Sequence, residues 1–498
     1  MITFDEYRRH DGIGLAQKIA AGDFSREEVL QAALARLDAV NPGLNLLAQD
    51  LRSHAQAQLK QPISGGVLAG VPLLLKDLLA DMQGVATGCA SPLLLGIKAQ
   101  QDSDLTAAYR QAGMVLFGKT TLPEWGLMPY TESVLHGITR NPWDVEHTPG
   151  GSSGGAAAAV AAQVVPIAHG GDGGGSIRIP AANCGVFGLK PSRGRVSMGP
   201  LLVDAWQGMV CEHVLTRSVR DSAAMLDIAA AAPQTARLYH CPPQATSFLD
   251  CLQQPLPRLR IAVTDTPWLS GDVAAPIRAA HADTVALLQS LGHEVTEARP
   301  AFADAETLGR AMLVAVAGET AKIKRQLQAA LGRKISHRDV EAATWSLIVY
   351  GEHISAGEAF WARDVINAQM RIAAQFHQQY DVLCTPVLPR LTPKVGELAP
   401  SAKEEKASRI MLGSLKLGFL MKNNPVVDRN SRQSLAYIGF TAPFNITGQP
   451  AMSVPLYWHN NLPVGSQFAA AHGREDVLLQ LAHELEQARP WFNRTPDL

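Results

Sequence analysis

Residues 147–190, HTPGGSSGGAAAAVAAQVVPIAHGGDGGGSIRIPAANCGVFGLK, decide the fold. Nine of the chain's 42 glycines fall between positions 150 and 175, on either side of one Ala-rich segment, Ala156–Ala162. The pattern predicts a loop, a short helix, a strand and a second loop. In the second loop, consecutive glycines let backbone amides crowd toward one point, because no Cβ intervenes. Amides converging beside a serine, here Ser176, are what an oxyanion hole requires. A dinucleotide loop is disfavoured, since it should open a long helix and Pro180 follows Ser176 by only four residues. A plain flexible turn stays open as the other reading of these glycines.

A serine hydroxyl cannot attack an amide unaided; a base must take its proton. Working toward the N-terminus, the candidate base is Lys76 in GVPLLLKDLLA, residues 70–80. Leu68–Leu79 is a short, nearly continuous apolar run that suits a strand buried on both faces. A lysine there is either desolvated, which lowers its proton affinity toward that of a general base, or one half of a Lys76–Asp77 surface pair at a strand end. This segment alone does not choose between them.

Further outward, Ser25 and Glu28 form a capping box for the run EEVLQAALARLDAV, which Asn41-Pro42-Gly43 should end. Met114–Phe117 reads as a second buried strand. From Leu201 to Leu435 the pattern is mainly helical, with strand-like runs at Leu259–Thr264 and Asp381–Thr385. Strand character returns at Phe440–Val454 and Val464–Ala470, and a last helix covers DVLLQLAHELEQA. Strands at both ends with helices between predict one α/β core. Its divisions are an N-terminal helical segment, 1–65, packed on a catalytic domain, 66–498, which carries a helical insertion at about 225–435.

Composition removes several function classes. With 47% hydrophobic and 18% charged residues the chain can bury a large core. Lys plus Arg number 44 against 45 Asp plus Glu, a balance that gives no electrostatic reason to expect nucleic acid or an anionic membrane. No apolar leader opens the chain, and the Ala-rich stretch is too short to span a bilayer. The six cysteines (Cys89, Cys184, Cys211, Cys241, Cys251 and Cys384) include no C-x-x-C and suit a reducing cytoplasm. No H-E-x-x-H or EF-hand pattern occurs, so neither a metal nor another cofactor is expected. GMVLFGKT, residues 113–120, matches a phosphate-loop pattern, but its Met-Val-Leu-Phe wants burial in a strand. GSSGG, residues 151–155, matches a nucleophile elbow around Ser153, yet HTPG before it is no strand. His169, beside the glycine loop, is expected to be a polar core or loop residue.

Taken together, these residues resemble the amidase signature family. The likeness spans GVPLLLKDLL, GKTTLPEWG, TRNPWD, PGGSSGGAAAAVAA, GGDGGGSIRIPAANCGVFGLKPSRGRVS, DVLCTP and FTAPFNITGQPAMSVPL. It implies a central mixed β-sheet covered by helices on both faces, and a hydrolase of carboxamide C–N bonds acting on a small-molecule amide and water through an acyl-serine. By the same likeness Ser176 is the nucleophile, Ser152 (24 residues earlier, after a cis Gly151–Ser152 peptide) the bridging serine, and Lys76 the base. The amides of Gly173, Gly174, Gly175 and Ser176 would form the oxyanion hole. Ser153, Asp172 and Arg178 would be supporting residues. The chain departs from the Thr-Asp-Thr-Gly-Gly-Ser of many relatives, having glycines at 171 and 173, and it has Asn183 where relatives often carry an aromatic ring.

The long insertion and the ending GREDVLLQLAHELEQARPW are similar to those of hydrolases of cyclic and linear 6-aminohexanoate oligomers and of bacterial aryl or aliphatic amidases. The pocket is expected to draw on 120–135, 200–215, 310–350 and 410–445, and a homodimer is the candidate assembly. Three other readings stand beside this one: a glutaminase-type subunit of a tRNA-dependent amidotransferase, an α/β-hydrolase-type esterase using Ser153, and a non-hydrolytic binding subunit.

Overall fold

The computed structural model describes residues 2–62, 65–232, 238–269, 271–414 and 435–498. Among the described residues thirteen strands are formed: β1 Leu47–Asp50, β2 Pro72–Lys76, β3 Val115–Thr120, β4 Glu132–Ser133, β5 Gly137–Ile138, β6 Ile167–Asp172, β7 Phe187–Lys190, β8 Cys211–Thr216, β9 Arg260–Val263, β10 Glu294–Glu297, β11 Val382–Pro386, β12 Ala451–His459 and β13 Leu462–Ala470. β4 and β5 make a small hairpin; the other eleven form one mixed sheet in the order β1-β3-β2-β6-β8-β7-β12-β13-β11-β9-β10. β2 runs parallel to β3 and β6, while the centre from β6 to β11 is antiparallel. Helices flank the sheet, as the α/β reading requires. No described helix is long and apolar enough to cross a membrane.

The apolar runs become strands where both faces are covered. Every residue of β2 and β3 is buried, which puts Gly118 and Lys119 of the apparent phosphate loop inside a strand. Lys119 Nζ donates to Ala86 O (3.1 Å) and Thr87 Oγ1 (2.8 Å), so it is a structural cation. The Ala-rich segment forms the helix Gly154–Ala161, wholly buried. Side chains this small let it lie close against β6 and the short helix Arg178–Cys184, fixing both serine-bearing loops.

Among the described residues up to 62 the regular elements are helices apart from β1, which pairs antiparallel with β3. They dock through Asp221, whose carboxylate accepts from the amides of Gly12 (2.6 Å) and Ile13 (2.9 Å). The helix Arg26–Leu44 has its Ser25–Glu28 capping box but runs through Pro42. In the last turn a proline forfeits only its own N–H bond, and the helix ends when Asn45 turns left-handed (φ 56°).

Two strand readings need correction. Phe440–Val454 is not one extended run: Ala442–Thr447 is a helix, with Pro443 in its first turn and Gly448 capping it at φ 76°, and only from Ala451 does the chain extend. β10 has no apolar signature because it is a sheet edge, with three of its four residues exposed. The expected insertion contributes β9, β10 and β11 to one sheet edge along with its long helices. The parts of the insertion and pocket readings at 233–237, 270 and 415–434 lie outside the described residues.

Candidate active site

Three segments meet at the C-terminal ends of β2 and β6. Lys76 is the last residue of β2 and is 1% exposed. Its Nζ lies 2.8 Å from Ser152 Oγ, 2.9 Å from Ser153 Oγ and 3.3 Å from the carbonyl oxygen of Gly171. Burial pushes the Lys76 amine down to about 7 against the attraction of Asp172 and Glu212, so near neutral pH the amine is half deprotonated. The surface-pair reading of Lys76–Asp77 fails: both are buried, and Asp77 turns to Gln49 and the Gly88 amide instead.

Ser152 follows a cis Gly151–Ser152 peptide. Gly151 is required by crowding, since a Cβ there would lie 2.6 Å from the backbone N and O of Tyr130. Ser153 is wholly buried: its hydroxyl donates to Gly171 O (3.2 Å) and accepts the Gly171 N–H (3.2 Å). No strand leads into Ser153, and its oxygen is spent on the backbone of β6, so the elbow arrangement is missing.

Ser176 lies in the turn between β6 and the helix Arg178–Cys184 and, unlike the other two serines, is partly exposed. Its carbonyl accepts the Ser153 N–H (3.2 Å), which ties the two loops together. Its Oγ makes no hydrogen bond among the described residues. Lys76, Ser152 and Ser153 are therefore joined by contacts, while the Ser176 hydroxyl is attached only through its backbone.

Of the four amides expected to form an oxyanion hole, that of Gly175 is already used, donating to Asp172 Oδ1 (2.8 Å). The same carboxylate accepts from Ile177 N (3.1 Å), because the turn after Asp172 wraps round it. The amides of Gly173, Gly174 and Ser176 have no acceptor among the described residues. Gly175 has φ 127°, and a Cβ there would lie 2.4 Å from Thr441 Oγ1.

Arg178 closes on Asp172 with two bonds, Nε to Oδ2 (3.0 Å) and Nη2 to Oδ1 (2.9 Å). Its other hydrogens reach Thr441 O (2.8 Å), Gln467 Oε1 (2.7 Å) and Asn445 Oδ1 (2.6 Å). Burial opposes the charge on Asp172, but the Arg178 guanidinium and its hydrogen bonds outweigh it and hold the carboxyl at about 2. Asn183 holds Tyr437 Oη through its amide (3.1 Å).

The walls come from elsewhere in the chain. The Trp206 ring packs on Gly173, the Met312 methyl and Ile438 lie over Gly174, and Gly126 abuts Ser152. All four fall within the pocket ranges read from the sequence, although nothing singled them out. Thr441, Asn445 and Gln467 were missed as partners of Arg178, and Glu212 was missed altogether. The signal available for Glu212 was a carboxylate in the strand CEHVLT, the same anomaly that marked Lys76. No group of three or more His, Cys, Asp or Glu suited to a metal ion occurs among the described residues.

Comparison with known proteins gives the family of the chain. The Amidase family model matches residues 28–479. A 6-aminohexanoate-cyclic-dimer hydrolase of Paenarthrobacter ureafaciens is 36% identical, over 98% of this chain and 96% of its own length. An acylamidase of Rhodococcus erythropolis is 32% identical, over 97% and 96%. A solved structure of 6-aminohexanoate cyclic dimer hydrolase complexed with substrate superimposes with a TM-score of 0.87 at 34% identity, covering 98% of this chain and 99% of that one. With the match running through nearly the whole sheet and both serine loops, the chain belongs to the amidase signature family.

Proposed function

We propose that this protein hydrolyses carboxamides through an acyl-Ser176 intermediate, with Ser152 as proton relay and Lys76 as base. The observation that carries the reading is the buried Lys76 amine, held near a pKa of 7 and in contact with the hydroxyls of Ser152 and Ser153. Counting hydrogens gives the relay its direction. Ser153 spends its hydrogen on Gly171 O, so its oxygen accepts from Lys76. Gly171 O also accepts. A neutral amine has two N–H groups, and these two acceptors use both. Its lone pair is left for Ser152, whose O–H donates to Nζ and whose oxygen is free to take a proton from Ser176.

In acylation the Ser176 oxygen bonds to the carbonyl carbon as its proton passes to Ser152 and the Ser152 proton passes to Lys76. The amides of Gly173, Gly174 and Ser176 take the developing oxyanion. Collapse breaks the C–N bond while the proton returns by the same route to the leaving nitrogen. Water then adds to the acyl carbon, losing its proton along the relay; as the bond between that carbon and Ser176 Oγ breaks, the relay returns the proton to Oγ and the carboxylic acid departs.

The substrate is a small or oligomeric amide, linear or cyclic, with an apolar chain or ring beside the scissile bond. The Trp206, Met312 and Ile438 walls and the 6-aminohexanoate relatives support this. Six unpaired thiols support a cytoplasmic setting.

The test is labelling by a fluorophosphonate, mapped by peptide mass spectrometry, in the wild type and Ser176→Ala. Labelling at Ser176, with loss of both label and amide turnover in the variant, is the expected result. An adduct on Ser153, or wild-type-like turnover by Ser176→Ala, overturns the mechanism.

A further inference from the structure

Lys76 has a second buried contact that the proton route does not use. Its backbone N–H donates to Nδ1 of His169, 3.3 Å away on β6. A ring nitrogen that accepts carries no proton, so the imidazole hydrogen sits on Nε2. Nε2 in turn lies 3.2 Å from Oε1 of Glu212 on β8, at ion-pair distance though off the hydrogen-bond direction. His169 is fully buried and Glu212 is 3% exposed. The register of β6 on β8 sets Gly171 directly opposite Glu212. A methyl built on Gly171 would lie 3.9 Å from Glu212 Cγ and 4.0 Å from Lys76 Nζ, so carboxylate and amine flank the same bare Cα.

We propose that His169 and Glu212 are a positioning pair for the base: His169 fixes the strand end that carries Lys76, and Glu212 sets the tautomer of His169 and faces the Lys76 amine across Gly171. The inference rests on Lys76 acting as the base. Stability alone does not account for the pair, because burying a carboxylate costs several kcal/mol that apolar residues of the same size avoid. Nor does any other hydrogen bond satisfy Glu212 Oε1 or His169 Nε2 among the described residues.

The groups whose charge reaches Lys76 are Asp172, Glu212 and Cys89. Asp172 is neutralised by two bonds from Arg178. The Cys89 thiol is pushed far up by burial and stays uncharged. Glu212 is the carboxylate left without a guanidinium of its own. Facing it are His169, Lys76 and Tyr109 of the helix Asp104–Gln111, whose hydroxyl is pushed up by burial and by Glu212; His213, next along β8, turns to the other face and Ser222 (3.0 Å), and is held down at about 3 by burial and by His169.

The experiment is the pH dependence of kcat/KM for wild type, Glu212→Gln and Gly171→Ala. In the wild type the acid limb follows protonation of Lys76. Removing the Glu212 charge makes the ammonium harder to form, so the limb of Glu212→Gln moves to lower pH by about half to one unit. The plateau falls as the strand end loosens. Gly171→Ala fits at ordinary contact distance and inserts a methyl between the two groups, so it moves the limb the same way by a smaller amount. A limb that stays put in Glu212→Gln, whatever the plateau does, makes Glu212 purely structural and overturns the proposal. If that variant fails to fold, an unmoved limb in Gly171→Ala does the same. A wild-type profile with no limb near neutrality removes Lys76 as base and this pairing with it, an outcome distinct from a limb that exists but does not move.

Discussion

Replacing Arg178 by Met keeps most of the side-chain volume and removes five hydrogen bonds from a site with no exposure. The dominant loss is electrostatic. Asp172 stays buried with its carboxylate unpaired, and breaking a buried pair from one side costs about 3–5 kcal/mol, a large share of the roughly 5–15 kcal/mol by which domains are stable. Urea denaturation followed by tryptophan fluorescence should show a loss of that size. The pH dependence gives a sharper signature. In the wild type the Asp172 carboxyl is held at about 2, below the ordinary aspartate value of 3.8, so it contributes stability above pH 3.8 that disappears as pH falls through about 2. A depression of nearly two units corresponds to about 2 kcal/mol. Without Arg178 only the hydrogen bonds from Gly175, Ile177 and Asn445 and the more distant Lys190 charge oppose burial, so the carboxyl rises and this contribution shrinks. Between pH 5 and 3 the variant should therefore lose less stability than the wild type. A loss below about 1 kcal/mol at neutral pH, or identical pH slopes for the two proteins, would refute the claim that Arg178 and Asp172 brace the loop as a charged unit.

Three further outcomes follow from the same geometry. The kcat/KM of the wild type should fall about tenfold per pH unit below pH 7, as the Lys76 amine takes up its proton, and level off above pH 8; a rate flat from pH 5 to 8 would dissociate catalysis from this amine. Gly175→Ala should lower kcat by about a hundredfold or more while the protein stays folded by circular dichroism, because a methyl at φ 127° and 2.4 Å from Thr441 Oγ1 displaces the Ser176 amide. Ser153→Ala should cost about 10- to 100-fold in kcat with little change in KM, since it removes an acceptor that orients the Lys76 amine, and the acyl-enzyme should still form on Ser176.

The meeting of Lys76 with the serines of the first glycine loop was legible because these segments violate ordinary patterning. A lysine at the end of PLLLK and nine glycines round an alanine run are both anomalies, and both mark places where the backbone or a charge is constrained. The sequence carried the surroundings poorly. Phe440–Thr447 reads as a strand because its apolar residues are buried on all sides, and only Pro443 and Gly448 betray the helix. The edge strand β10 has no periodic signal, since solvent covers most of its residues. The use of the Gly175 amide by Asp172 depends on a turn that no spacing rule encodes. Trp206, Met312 and Ile438 reach the glycine loop from segments far apart in the chain, a coincidence of folding invisible to local pattern.

That origin of the walls has a consequence. Lys76, Ser152 and Ser176, the proposed base, relay and nucleophile, all stand on one continuous stretch from β2 to β7 that contains a wholly buried Ala-rich helix, where added side-chain volume would strain the packing. Apart from Gly126, the walls proposed to meet the substrate belong to other stretches. On the proposed mechanism, exchanging side chains at 206, 312 and 438 would change acyl or amine preference while leaving Lys76, Ser152 and Ser176 in place, at the risk of shifting the glycine loop they pack on.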